Sequence, residues 1–145
     1  MSSKKIAPYG SWKSPISSDL IVAGSIGLSQ LLVDGSAVYW TEGRPSENGR
    51  NALVKWTAEN GHEEMSAAGF NVRTRVHEYG GGSYAVYDDV IYFANFVDQR
   101  LYVQYPHSEP EPLTTSNPFR FADGQVDASR GRLVCIREDH SNPAA

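Results

Sequence analysis

Between Asn71 and Gly82 the chain reads Asn-Val-Arg-Thr-Arg-Val-His-Glu-Tyr-Gly-Gly-Gly, its densest run of groups able to do chemistry. Read with a period of two, Arg73, Arg75, His77 and Tyr79 share one face, and Val72, Thr74, Val76 and Glu78 share the other, as a β-strand requires. One face is then cationic and aromatic, which fits a cleft wall or a channel lining. The β-branched Val72, Thr74 and Val76 speak against a helix. The three glycines that follow admit positive φ and close backbone approach. Two readings stay open: Arg73, Arg75, His77 and Glu78 line a cleft as substrate-binding residues, or the segment is a solvated edge strand whose arginines pair with carboxylates.

Other candidates for chemistry are weaker. Ala23-Gly24-Ser25-Ile26-Gly27 imitates a nucleophile elbow, but an elbow runs strand, sharp turn, helix, with Asp and His partners downstream. Strand-like runs follow Ser25 here, so the motif reads as a plain turn and no catalytic residue is assigned. His62, His77, His107 and His140 are far apart, and no pair has metal-ligand spacing, so neither metal nor cofactor is expected. Within Glu138-Asp139-His140-Ser141, His140 is placed for a hydrogen bond at a strand end. Glu42 with Arg44, and Asp98 with Arg100, read as loop ion pairs, not as general acids.

Positioning these groups requires a scaffold, and the composition bounds it. The 145 residues are 40% hydrophobic and 21% charged, with 17 acidic against 13 basic side chains. That size suits one domain with a real core. The net charge of −4 and the lack of any Lys/Arg block disfavour a nucleic-acid or anionic-membrane partner. The single cysteine, Cys135, excludes an intrachain disulfide framework and points to a reducing compartment. Its neighbours Val134 and Ile136 suggest a buried strand position. With no apolar signal region or membrane-length run, a cytoplasmic location is expected.

Along the chain, residues 1–27 form an irregular arm punctuated by Pro8, Gly10, Pro15 and Gly24, with Leu20 to Val22 as a possible short strand. From Leu28 the sequence alternates strand-sized runs with turn chemistry. Leu28 to Val33 and Ala37 to Glu42 flank Asp34-Gly35-Ser36, a hairpin signal. Asn51 to Thr57 and a weak run at His62 to Met65 complete a first unit. Ser83 to Tyr87 and Val90 to Asn95 flank Asp88-Asp89, followed by Arg100 to Gln104 and a weak run at Glu109 to Leu113 that its prolines confine to a sheet edge. A third round holds Phe121 to Asp127 and Arg132 to Glu138. The second strands of the rounds start at Ala37, Val90 and Arg132, and units of roughly 40 to 50 residues are the mark of β-propeller blades. The expected fold is all-β: an incomplete β-propeller over residues 28–145, with two to three four-stranded antiparallel blades near 28–66, 82–113 and 121–145. Open blade edges invite self-association.

The run Ala7-Pro8-Tyr9-Gly10-Ser11-Trp12-Lys13-Ser14-Pro15-Ile16, the Asn71–Gly82 stretch, Glu42-Gly43-Arg44-Pro45, Arg120-Phe121-Ala122-Asp123-Gly124 and Arg137-Glu138-Asp139-His140 occur in this order. Together they resemble the N-terminal region of the prolyl oligopeptidase family, close to its acylaminoacyl-peptidase and dipeptidyl-aminopeptidase-like members. The resemblance covers almost the whole chain. It implies a serine peptidase in which a propeller, usually of seven blades, caps a C-terminal α/β-hydrolase domain that holds the Ser, Asp and His triad and is absent from this chain. It also implies that the arm reaches back towards that domain and that the propeller gates oligopeptide access. The rival expectation is a standalone binding module that completes its ring by oligomerisation.

Overall fold

A computed structural model describes residues 6–142 except 12, 23 and 117. Readings that rest on Trp12 and Ala23 therefore fall outside the described residues. The described residues build ten strands: β1 Gly27–Asp34, β2 Ala37–Arg44, β3 Arg50–Thr57, β4 Gly61–Glu64, β5 Tyr84–Tyr87, β6 Val90–Ala94, β7 Leu101–Gln104, β8 Glu111–Pro112, β9 Phe119–Asp127 and β10 Arg132–Asp139. They form antiparallel meanders ordered β1-β2-β3-β4, β5-β6-β7-β8 and β10-β9. This is a partial β-propeller with two full blades and one of two strands.

Turn chemistry sets the hairpins. Asp88 and Asp89 join β5 to β6 with φ of 51° and 60°, the paired left-handed conformation whose twist suits a two-residue hairpin. Gly35, at φ 57°, turns β1 into β2, with Asp34 opposite Ala37. Pro112 lies in β8, which pairs only with β7, so its missing N–H costs no ladder bond.

The core lies between the first two sheets. Tyr39 and Leu53 face Ile91, Phe93, Tyr84 and Tyr102, all nearly inaccessible to solvent. Phe93 stacks on Tyr102 with ring centroids 5.5 Å apart, and Phe70 meets both edge-on at 5.6 and 5.0 Å. Far from these rings, at the hairpin tips, Asp89 accepts hydrogen bonds from Tyr39 Oη at 2.8 Å and Lys55 Nζ at 2.5 Å. Its own N–H donates to Asp34 at 2.9 Å. These two donors hold the Asp89 carboxyl below its usual range, Lys55 contributing most and Tyr39 next. Burial, seconded by Asp89, pushes the Tyr39 hydroxyl far up.

Three sequence expectations are corrected here. Leu20 to Val22 belong to a single-turn helix, α1 Ser18–Val22, not to a strand. Ser17 caps it: Leu20 N–H donates to Ser17 Oγ at 3.1 Å and Ile21 N–H to Ser17 O at 3.1 Å, which satisfies helix donors locally. Cys135 is half-buried, while Val134 and Ile136 are 51% and 42% exposed, because β10 has a neighbour on one side only. Asn71–Gly82 is no strand: a lone bridge joins Val72 to Asn95, and a turn begins at Val76.

Ile6, Tyr9, Ile16, Leu20 and Ile21 are all largely exposed. No helix among the described residues is long and apolar enough to cross a membrane.

Candidate functional site

The connector from Asn71 to Gly82 runs along one end of all three sheets, opposite the hairpin tips. Its backbone is fixed by partners from two of the sheets instead of by one ladder. Val72 N–H donates to Asn51 O at 2.9 Å, Arg73 N–H to Ala94 O at 3.1 Å and Arg75 N–H to Gln99 Oε1 at 2.9 Å. The third sheet holds the turn that follows, since His77 N–H donates to Glu138 Oε1 at 2.8 Å. Donors that point to different sheets cannot make a ladder, which is why a strand-like sequence forms none. The period of two still governs burial: Val72, Thr74 and Val76 are 0%, 2% and 0% accessible, while Arg73 and Arg75 face solvent. After Val76 the alternation fails, because His77 and Glu78 take left-handed φ of 57° and 64°.

The four sequence candidates separate into two kinds. His77 and Glu78 are satisfied internally. His77 Nδ1 lies 3.1 Å from Glu138 Oε1, and His140 Nε2 lies 3.1 Å from the other oxygen of Glu138. The His140 bond first, and the His77 N–H next, hold Glu138 below the usual carboxylate range. Glu78 Oε1 accepts from Arg120 Nη1 at 2.6 Å, and the same nitrogen also donates to Arg75 O at 3.0 Å. Arg73 and Arg75 differ: their guanidinium carbons lie 4.9 and 4.4 Å from the centre of the Phe96 ring. Among the described residues, neither forms an ion pair.

The glycine run is clamped from both sides by β-bulges. On β1 the register shifts between Ser29 and Leu32, where Gln30 takes φ 53°. Gln30 Oε1 accepts from Ser83 N–H at 2.8 Å, Gln30 Nε2 donates to Gly81 O at 3.3 Å, and Tyr84 Oη donates to Gln30 O. On β9 the extra residue falls near Asp123, at φ 54°. Gly82 N–H donates to Asp123 Oδ1 at 2.7 Å, and Asp123 N–H returns a bond to Gly82 O at 2.7 Å. A Cβ on Gly82 would sit 2.8 Å from Asp123 Oδ1, and one on Gly81 3.0 Å from Asp123 Oδ2. Close approach is therefore what the last two glycines supply. Gly80, at φ 102°, supplies the turn.

Sequence reading did not single out Phe96 or Gln30, and neither carries a local signal, since each acts across a sheet boundary. Arg120, Asp123 and Glu138 were named only inside longer motifs. The other candidates resolve plainly. Ser25 lies between α1 and β1, the reverse of the order an elbow needs. Arg44 pairs with Glu42 at 2.8 Å as expected, and joins Glu47, Glu64 and Arg50 in one cluster. Asp98 and Arg100 form no side-chain ion pair: Asp98 accepts from the Arg100 backbone N–H and from Tyr102 Oη, while Arg100 Nε donates to Thr114 O. Among the described residues no group of three or more His, Cys, Asp or Glu is arranged to hold a metal ion. A cavity of about 760 Å³ opens at the hairpin end, bordered by Asp34, Lys55, Glu59 and Asp89, well away from the connector.

This geometry offers cations held ready on a fixed backbone, which suits binding. Solved structures agree in fold. The chain matches puromycin hydrolase with a TM-score of 0.79 and 34% identity, over 93% of this chain and 22% of that one. A puromycin-hydrolyzing peptidase of Mycobacterium tuberculosis matches with the same TM-score and identity, over 94% of this chain and 22% of that one. The chain thus spans about a fifth of the length of the solved chains it matches. No family model matches the sequence, and no curated protein does.

Proposed function

Because this chain belongs to the prolyl oligopeptidase family and corresponds to part of its N-terminal β-propeller, we propose that it walls an antechamber that passes oligopeptide-sized substrates to a C-terminal α/β-hydrolase domain. The hydrolase domain would cut the peptide by acyl transfer through Ser, His and Asp, in the manner of an acylaminoacyl-peptidase-like enzyme. The observation that carries this reading is the shared fold over nearly all of the chain. The arm adds support. Ile6, Tyr9, Ile16, Leu20 and Ile21 present apolar side chains that no sheet of this chain covers, as an arm docked on another domain would. It enters β1 at Gly27, on the same end of the sheets as the connector. That end would face the catalytic chamber, with Arg73 and Arg75 exposed there and His77 and Glu78 bracing the connector behind them.

A chimera tests the proposal. The matched stretch of puromycin hydrolase is replaced by residues 6–142 of this chain, and hydrolysis of a tripeptide is compared with hydrolysis of an unfolded 100-residue protein. Retained tripeptide cleavage with the long chain excluded is the expected result. A folded chimera that cuts both substrates equally sinks the gating role.

A second reading, self-assembly into a binding module, has one observation in its favour. Among the described residues the third sheet has two strands where its neighbours have four, and the outer edge of β10 pairs with no strand. Antiparallel pairing of β10 with a second copy about Cys135 would set Arg132 opposite Glu138 and Val134 opposite Ile136, giving a four-stranded sheet. A concentration-independent monomer by light scattering rules this out.

A further inference from the structure

We propose that Arg73 and Arg75 form a binding pair for a peptide carboxylate, held ready by Phe96. This deepens the antechamber reading and rests on it for the ligand being a peptide.

Three observations lead to it. First, the backbone beneath the pair is immobilised. Val72, Thr74 and Val76 are buried on the inward side, and the N–H groups of both arginines are bonded to the second sheet. The two side chains are therefore launched in parallel from alternate positions of a fixed, extended segment. Second, both guanidiniums rest on one ring, at 4.9 and 4.4 Å from its centre. Phe96 is itself tied down, its N–H donating to Asn71 O at 2.8 Å. A flat guanidinium on an aromatic face keeps its edge N–H groups free to donate, and the ring limits the rotamers that binding would otherwise have to freeze.

Third, among the described residues the pair forms no ion pair, and nearby carboxylates are committed elsewhere. Glu78 is engaged by Arg120, and Glu138 by His77 and His140. The arginine cluster at Arg44 and Arg50 has Glu42, Glu47 and Glu64, so the contrast lies within one molecule. Two like charges beside one another and open to solvent are stabilised by an incoming anion. A planar carboxylate matches the forked donors of a guanidinium, and the second cation on the same ring adds to the attraction. A chain of net charge −4 with two such cations gives no footprint for a nucleic acid.

Acetyl-trialanine with a free carboxylate, its C-terminal amide, acetyl-Ala-Asp-Ala-amide and inorganic phosphate are titrated in turn into the whole chain at low salt, with binding followed by calorimetry. The free acid binds and the amide does not. Binding of the Asp peptide as well would show that a side-chain carboxylate also serves, and its failure would restrict the pair to the C-terminus; both support the pair. Arg73→Gln and Arg75→Gln each weaken binding about fivefold, and the double variant at least about tenfold. Arg75→Lys keeps the charge but loses the fork, and weakens binding about threefold. Phe96→Leu keeps both charges and still weakens binding about twofold.

Thermal midpoints control for folding, since both arginine side chains are exposed. Equal binding of acid and amide overturns the proposal, as does phosphate binding as tight as that of the acid. So does a double variant that binds like the unchanged chain. Because this titration needs no catalytic domain, its failure beside a size-selective chimera removes the carboxylate pair alone. Binding beside an unselective chimera removes the antechamber alone.

Discussion

Gly82→Ala is the sharpest probe of how the connector is held. The added methyl would lie 2.8 Å from Asp123 Oδ1 and 3.4 Å from Asp123 Cα. No real Cβ tolerates the first distance, so the carboxylate must swing away. In doing so it abandons the 2.7 Å bond from Gly82 N–H. Overpacking of this kind costs about 1–3 kcal/mol, and a lost hydrogen bond to a charged group about 1.5–3 kcal/mol. The bond is partly exposed, so the low ends apply and the sum is about 2–3 kcal/mol. For a chain of this length that lowers the thermal midpoint by roughly 6–12 °C. Gly82 is not at positive φ, so backbone strain adds nothing. The cost should therefore vanish with the carboxylate. Asp123→Gly removes the clashing oxygen and frees a residue held at φ 54°, so in that background Gly82→Ala costs under about 1 kcal/mol. Urea titrations of the four chains, followed by circular dichroism, give the coupling, expected near 1–2 kcal/mol. Additive costs within about 0.5 kcal/mol, or a neutral Gly82→Ala, would refute the clamp.

Acid should loosen the first two sheets at their hairpin tips. The folded Asp89 carboxyl lies below its unfolded value, so its contribution is present above that value and is lost as pH falls through the folded one, a window below about pH 4. Asp89 is half exposed, so the loss stays under about 1 kcal/mol; Asp89→Asn should flatten the urea midpoint over that window, and an unchanged pH profile would count against the joint. Phe93→Ala should cost about 3–5 kcal/mol, because the buried ring packs against both Phe70 and Tyr102. A loss below about 1 kcal/mol by the same urea assay would mean that the aromatic core repacks.

Much of the fold was legible because its signals are local. Asp-Asp and Asp-Gly turns, alternating runs such as Val90 to Ala94, and the recurrence of second strands mark hairpins without tertiary information. The candidate site was legible in part. Alternation along Val72 to Val76 reported burial correctly, since it records which side faces the core whether or not a ladder forms. The ladder itself was misread, because where Arg73 and Arg75 N–H groups go depends on Ala94 and Gln99, which no spacing reveals. His77 and Glu78 looked like solvent-facing chemistry only because Glu138 and Arg120 lie some sixty and forty residues on. Cys135 reads as interior only through its apolar neighbours, and among the described residues β10 has a strand on one side only, which leaves Cys135 half-buried and Val134 and Ile136 exposed.

The two bulges that grip the glycine run have a mechanical consequence. Gln30 reaches the run from the first sheet and Asp123 from the third, so this end of the sheets acts as the spine of a book whose pages are the blades. At the fore-edge, the first two pages are clasped at the half-exposed Asp89, beside the Gln104 Nε2 bond to Met65 O at 3.1 Å. Any separation of these pages therefore starts at the fore-edge and pivots on the spine. The arginine pair, seated on the spine, would keep its spacing while the far side gapes.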